Sequence, residues 1–176
     1  MKAKLIKVII GLFAVVPIVV SSCMMNDSND LPDFNEQLQK DLAAIDSYLA
    51  ANNIVAQQDD RGLIRYVILL DAVDGEKASL DSCATANYSG KLMSNGYKFD
   101  DGINFSFPVD AVIDGWKIAI PLLNEGDSAA LYIPSGLAYG FYGSKPEIPS
   151  NANLIFNVGI KKVGTTYRSS NGGSCD

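Results

Sequence analysis

The sequence predicts an α+β domain: an antiparallel β-sheet wrapped around one short α-helix and preceded by an amphipathic helix. Three observations carry this. Five short β-rich runs (63–70, 84–92, 105–109, 128–133 and 154–163) follow one another with turn signals between them. The last run alternates, with Leu154, Phe156, Val158 and Ile160 on one face and Asn157, Gly159 and Lys161 on the other, and one-faced burial marks antiparallel sheet. A single short helical candidate, 115–123, interrupts the runs, and Pro121 near its end removes a backbone donor and distorts it there.

In chain order, residues 1–22 read as a targeting segment. Lys2, Lys4 and Lys7 precede a continuous apolar stretch from Val8 to Val20, and Ser21-Ser22 stand directly before Cys23. That stretch is shorter than the roughly 20 residues a helix needs to span a bilayer, which favours a cleaved signal over a permanent span. Small residues before a cysteine resemble a bacterial lipobox, which implies lipidation at Cys23 and a membrane attachment through acyl chains at about 0.8 kcal/mol per buried methylene. Removing the segment also removes three lysines, so the formal charge falls from -6 to about -9. The tether would therefore be lipid and not charge.

Residues 23–32 are polar and without periodicity, as in a flexible tether. Over 33–53 the apolar positions Phe34, Leu38, Leu42, Ile45 and Leu49 recur at helical spacing. Asp33 is placed to cap this helix, with Glu36 completing an acidic capping box. Its stripe must be buried, either on the following domain or against a second copy as a homodimer. The domain itself is expected over 62–164, followed by a polar tail over 165–176. Within it, Ser94-Asn95-Gly96 separates two β-rich stretches as a hairpin turn. The stretch 134–153 carries too many Gly and Pro for strand or helix, and loops of that length in a compact domain are usually functional.

Composition excludes whole classes of chemistry. There is no histidine, so Ser-His-Asp and Cys-His nucleophile systems are impossible and most catalytic zinc sites lack their ligands. The net charge of -6, without a basic stripe, argues against nucleic acid as a partner. With Cys23 assigned to lipid, Cys83 and Cys175 remain in an oxidising compartment. They form either one disulfide, closing a loop of about 90 residues for roughly 4 kcal/mol, or two free thiols.

What remains is a set of rings and apolar side chains spread over several loops and strand ends: Tyr88, Phe99, Phe105, Phe107, Val112, Ile113, Trp116, Tyr139 and Phe156. Turn signals stand beside them (Asn95-Gly96, Asp101-Gly102, Asp114-Gly115, Tyr139-Gly140, Ile148-Pro149). Such a set builds either an ordinary core or a concave apolar pocket with a few polar anchors.

Six segments in order carry a resemblance: Tyr88-Ser89-Gly90-Lys91-Leu92; Gly96-Tyr97-Lys98-Phe99-Asp100; Val112-Ile113-Asp114-Gly115-Trp116; Asn124-Glu125-Gly126-Asp127; Ile133-Pro134 with Leu137-Ala138-Tyr139-Gly140; and Ile148-Pro149 with Asn153-Leu154-Ile155-Phe156. Together they resemble the FKBP-type peptidyl-prolyl isomerases, in the form found in bacterial envelope lipoproteins. The resemblance implies an FKBP-like fold and an enzyme that isomerises Xaa-Pro bonds of proline-containing or unfolded envelope polypeptides. It implies neither cofactor nor metal, because an aromatic pocket can stabilise the twisted amide without covalent chemistry. It implies catalytic roles for Tyr88, Phe99, Asp100 and Tyr139. It implies substrate binding by Phe105, Val112, Ile113, Trp116, Ile148 and Phe156, with Trp116 as the floor. Ile113 would offer its N–H and Tyr139 its hydroxyl to substrate carbonyls, and Asp100 would pair with the Tyr88 hydroxyl. Asp101-Gly102, Ser144 and Glu147 depart from the family's usual residues, and the short loop to Phe105 has no counterpart of the family's arginine; that missing arginine and Ser144 motivate the alternative of a non-catalytic peptide-binding or chaperone lipoprotein. A lipid-anchored protein of this kind is expected at the outer membrane, on its periplasmic or surface face.

Overall fold

The structure, a computed structural model, describes residues 33–164 and Cys175. The expected signal (1–22), Cys23, the tether and most of the tail lie outside the described residues. Among the described residues, no helix is long and apolar enough to cross a membrane.

Helix α1 (Phe34–Ala51) leads into β1 (Gln57–Gln58), β2 (Arg65–Leu70), β3 (Cys83–Leu92) and β4 (Lys98–Pro108). Helix α2 (Asp114–Ala119), β5 (Ser128–Ile133) and β6 (Leu154–Gly164) complete the chain. The strands form one sheet in the order β1-β2-β5-β6-β3-β4, and every pair is antiparallel. This is the α+β, FKBP-like fold the sequence predicts, with a small additional strand at 57–58 that the polar pair Gln57-Gln58 does not announce.

The inner face of the sheet closes over α2. Ile133, Leu154, Phe156, Val158 and Ile160 from β5 and β6 meet Trp116, Ala119, Ile120 and Leu123 in one buried cluster. Each large apolar side chain so buried contributes about 1.5–3 kcal/mol. The helix is shorter than its sequence signal: α2 ends at Ala119 and the chain continues as a 3-10 turn, Ile120–Leu122, that contains Pro121. The distortion expected from the proline is therefore a change of helix type.

Strand β6 is buried on both faces over part of its length, against the one-sided expectation. Ile155 points to the outer face and joins Ala130, Tyr132, Ile45 and Leu49 in a second cluster beneath α1. A register shift between Thr85 and Ala86, opposite Lys162 and Ile160, then returns Val163 to the main core.

Helix α1 docks in cis. Leu38, Ile45 and Leu49 are buried, while Phe34 at the head of the stripe is half exposed. Arg65 grips Asp46 through two parallel bonds, Nε to Oδ1 at 2.8 Å and Nη2 to Oδ2 at 3.0 Å. Asp33 caps the helix by accepting from Asn35 N–H at 3.0 Å. The reciprocal half of the capping box is absent among the described residues: Glu36 pairs with Lys40, one turn on, at 2.7 Å.

Strand β4 is longer than the 105–109 run. Its first half, Lys98 to Asn104, is polar and a poor strand former by composition, yet it is carried by pairing with β3, with Gly90 opposite Asp100 and Tyr88 opposite Gly102. A register shift between Ala86 and Tyr88 divides the pair. There Asn104 adopts φ 52°, and its N–H is taken by Asn87 Oδ1 at 2.8 Å. The expected hairpin at 94–96 forms, with Gly96 at φ 74° and Leu92 and Tyr97 bonded across it. The 134–153 segment has no strand or α-helix, only a 3-10 turn at Ser135–Leu137 and a single bridge from Ser144 to Ile148. Cys175 is bonded to Cys83, at the start of β3, with their Cα atoms 5.6 Å apart.

Candidate active site

A cavity of about 270 Å³ opens at the end of the sheet where β3, β4, β6 and the start of α2 converge. Tyr88, Asp100, Phe105, Ala111, Val112, Ile113, Trp116, Tyr139 and Phe156 line it. Eight of these nine are residues the sequence singled out. The ninth, Ala111, ends the 3-10 turn Val109–Ala111 ahead of α2; a small exposed residue carries no signal by which a sequence could flag it.

Trp116 lies at the base. It sits in the first turn of α2 because Gly115 lets that turn approach β5: a Cβ at 115 would come within 2.4 Å of Ile133 Cγ2. Three rings fix the indole, Phe107 at 5.2 Å between centroids, Tyr88 at 5.3 Å and Phe156 at 5.3 Å, the last two edge-to-face. Such pairs add about 0.5–1.5 kcal/mol each beyond the area they bury. Phe105 extends the wall, stacked on Phe107 at 5.7 Å and edge-on to Tyr88 at 5.8 Å. The Trp116 Nε1 donor is buried and has no acceptor among the described residues, a condition that costs about 1–3 kcal/mol.

Two phenols and one carboxylate supply the polar edge. Tyr88 donates to Asp100 Oδ2 at 2.9 Å. Burial, and then that bond to a negative acceptor, push the Tyr88 phenol up to about 12. Tyr139 is also raised, by burial first and by the Asp100 charge second. Both hydroxyls therefore keep their protons, and remain donors, across the ordinary pH range. Gly102 belongs to this arrangement: a Cβ there would lie 2.5 Å from Tyr88 Cε1, so the departure at Asp101-Gly102 makes room for the ring that holds Asp100. Ile113 is the residue that starts α2; its carbonyl accepts from Trp116 and Lys117 N–H, while its side chain walls the cavity.

Phe99 and Ile148, expected in the site, do not line the cavity. Phe99 stands behind the wall, edge-on to Phe156 at 5.6 Å. Gly90 leaves the gap that both rings reach into, since a Cβ there would lie 2.6 Å from Phe156 and 2.7 Å from Phe99. Ile148 is turned into the main core by its reciprocal bonds with Ser144, at 2.8 and 2.9 Å.

One structural contact had no motif behind it. Asp41 of α1 is buried and accepts from Ser135 N–H at 2.9 Å, Ser135 Oγ at 2.5 Å and Gln37 Nε2 at 2.8 Å. It ties α1 to the turn that opens the Tyr139 loop. The available signal was a carboxylate on an apolar stripe, three residues from Leu38 and four from Ile45.

A sheet closed over one short helix, with a ring-lined cavity at its open end, defines a domain shaped to hold an apolar segment. Comparison with known proteins makes this specific. Residues 74–161 match the FKBP-type peptidyl-prolyl cis-trans isomerase family. Over 95 residues the chain is 39% identical to a probable FKBP-type peptidyl-prolyl cis-trans isomerase FkpA of Neisseria meningitidis serogroup B, an alignment spanning 52% of this chain and 35% of that protein. Over 85 residues it is 42% identical to FK506-binding protein 1 of Kluyveromyces lactis, spanning 45% of this chain and 74% of the relative. Among solved structures, a peptidyl-prolyl cis-trans isomerase from Pseudomonas syringae superposes with a TM-score of 0.63 at 26% identity, covering 78% of this chain and all of the other. The chain belongs to the FKBP-type peptidyl-prolyl cis-trans isomerase family, and its enzyme class is that of the peptidyl-prolyl isomerases.

Proposed function

We propose that this protein isomerises Xaa-Pro bonds in polypeptides of the bacterial envelope, and that the cavity over Trp116 is where it does so. The observation that carries the reading is the combination in one cavity of a buried indole floor, ring walls and two protonated phenols.

The barrier to rotation about the prolyl amide is about 18–20 kcal/mol, because rotation breaks amide resonance. The planar amide is more charge-separated than the twisted one, so transfer from water to an apolar cavity favours the twisted form. A volume of about 270 Å³ suits a prolyl ring with part of its neighbours. Trp116, Phe156 and Phe105 would hold the ring, with Val112 closing the side. The Ile113 N–H and the Tyr139 hydroxyl would take the flanking carbonyls. Asp100, held by Tyr88, would stand beside the reacting carbonyl and keep the Tyr88 ring in place. Phe99 acts in this reading as a buttress for Phe156, and Ile148 as part of the core under the loop.

For location, the signal layout and the Cys83–Cys175 bond both suit an oxidising envelope compartment. Lipidation at Cys23 would hold the domain at a membrane, the outer one in this reading. Because α1 spends its stripe in cis, a homodimer through that helix has only the Phe34 end left to use, and a lipid-tethered monomer is the simpler form.

The test is cis/trans relaxation of a short Xaa-Pro peptide with the purified mature chain. Catalysis should be present, should fall with Tyr139→Phe combined with Asp100→Val, and should be lost with Trp116→Ala. Absence of catalysis in the wild type, together with binding of unfolded chains, would select the non-catalytic reading. Mass spectrometry of the membrane-extracted protein tests the acyl chains at Cys23.

A further inference from the structure

We infer that a second cleft, between the start of α1 and the Tyr139 loop, binds an apolar side chain of the polypeptide that flanks the prolyl bond. The inference rests on the isomerase reading for what fills the first cavity. The cleft holds about 210 Å³, and Phe34, Gly136, Tyr139, Phe141, Tyr142 and Asn151 are among its walls. Among the described residues no carboxylate, ammonium or guanidinium group lines it, so its chemistry selects a neutral, apolar occupant.

Three rings here are left in water at a cost that the fold itself does not require. Phe34 is 51% exposed, Phe141 46% and Tyr142 71%. Phe34 heads a helical stripe whose members Leu38, Ile45 and Leu49 are buried, yet its ring is laid over Gly136, where a Cβ would lie 2.8 Å from Phe34 Cε2. It is positioned, not loose. Asp41 on α1 holds Ser135 and so clamps the helix wall to the loop wall, and within the loop wall Asn151 N–H donates to Gly140 O at 2.9 Å. The cleft is formed before anything enters it.

Its place says what the occupant is. Tyr139 lines this cleft and the prolyl cavity alike, so the two are separated by a single ring. An extended chain advances about 3.3 Å per residue, and about one to three residues carry it from one to the other. Clustered exposed rings continuous with a substrate cavity mark a binding surface for the same ligand. The N-terminal helix thereby contributes a substrate-binding wall in addition to any role as a spacer.

Two peptides with the same Xaa-Pro centre test this on the mature chain. One is a tetrapeptide that fills only the prolyl cavity; the other is a twelve-residue peptide with a Phe within four positions of the proline on each side. Relaxation rates give kcat/KM for both, and fluorescence anisotropy gives the affinity of the dye-labelled long peptide. Phe34→Ala and Tyr142→Ser should each lower the long peptide's kcat/KM and affinity by about tenfold, while the tetrapeptide stays within about twofold. Tyr142 is largely exposed, so its variant folds whatever happens to Phe34→Ala. Equal loss on both peptides, or loss on neither, overturns the inference. So does tighter binding in the variants, which would mean that the mature chain's own segment 23–32 fills the cleft. If the wild type fails to turn over the tetrapeptide, the isomerase reading fails, and the anisotropy series still decides the cleft.

Discussion

The two faces of the sheet solve opposite problems with similar residues. On the inner face, at the open end, Tyr88, Phe105, Trp116 and Phe156 surround a void and leave a buried indole N–H without a partner among the described residues. On the outer face, Tyr132, Ile155 and Ala130 are covered by α1, and the buried carboxylate of that helix, Asp41, has three donors. One face keeps apolar surface open and carries an unmet polar cost. The other covers its apolar patch beneath α1 and satisfies its polar group. The difference teaches that the cavity is not a packing failure of a small domain, because the same chain covers Ala130, Tyr132 and Ile155 on its other face with Ile45 and Leu49 of α1.

Trp116→Ala should break the comparison most severely. Removing a buried indole contacted by three rings should cost about 3–5 kcal/mol of stability and abolish catalysis, read by urea unfolding and by peptide relaxation. Trp116→Phe sharpens the same point. It loses some area but also removes the unpartnered donor, so it should cost only about 1 kcal/mol. A loss as large as that of the alanine variant would mean that the Nε1 hydrogen has a partner after all.

On the outer face, Asp41→Ala leaves the Ser135 hydroxyl and the Gln37 amide without their acceptor, although Ser135 N–H keeps Asn153 Oδ1 at 3.0 Å. The expected cost is about 1–3 kcal/mol. The double variant with Ser135→Ala should recover part of it, since the stranded hydroxyl is gone. As a positioning residue for the Tyr139 loop, Asp41 should also lower kcat/KM when replaced. Asp41→Asn, which still accepts, should rescue most of the activity.

Tyr139→Phe separates chemistry from packing. Its ring is partly exposed and keeps its contacts, so stability should move by no more than about 0.5 kcal/mol. Losing one hydrogen bond to the substrate should lower kcat/KM by about tenfold. A stability loss above about 1 kcal/mol would make the hydroxyl a structural group.

Much of this was legible in the sequence, and what was not has physical reasons. Strand β5, an apolar run, and the inner face of β6, with Leu154, Phe156, Val158 and Ile160 at period two, read directly. The first half of β4 did not: residues 98–104 become strand through β3 and a register shift, which is a tertiary cause without a local signature. The outer burial of Ile155 was hidden because alternation alone assigns it to solvent until α1 is docked. For the cavity, the order of Tyr88, Asp100, Trp116, Tyr139 and Phe156 along the chain was enough to nominate the set. Whether a ring lines the void or supports a ring that does, the distinction between Phe156 and Phe99, depended on Gly90 and could not be read from spacing. Asp41 shows the same limit from the other side: its misplacement on an apolar stripe was visible, but its partner lay 94 residues away.

The mildest expected effect concerns alkaline pH, and it tests both faces at once. Folded Tyr88 holds its proton to about 12, whereas an unfolded tyrosine releases it near 10. Below pH 10 both states are protonated, so the stabilisation from this group is fully present. As pH rises from about 10 toward 12 the unfolded state binds fewer protons than the folded one, and stability falls. Tyr132 on the outer face is raised as well, by burial first and by Tyr48 second, so it adds a loss of the same sign. Urea midpoints measured between pH 9 and 11 should therefore decline in the wild type. They should decline less in Tyr88→Phe and in Tyr132→Phe, with the two reductions adding, because the residues lie in separate clusters. Catalysis of the short peptide should stay flat up to the pH at which unfolding begins, since both phenols at the cavity remain donors until then. A drop in activity near pH 8 or 9 with the fold intact would show a cavity phenol ionising early, contrary to the Asp100 pairing described here.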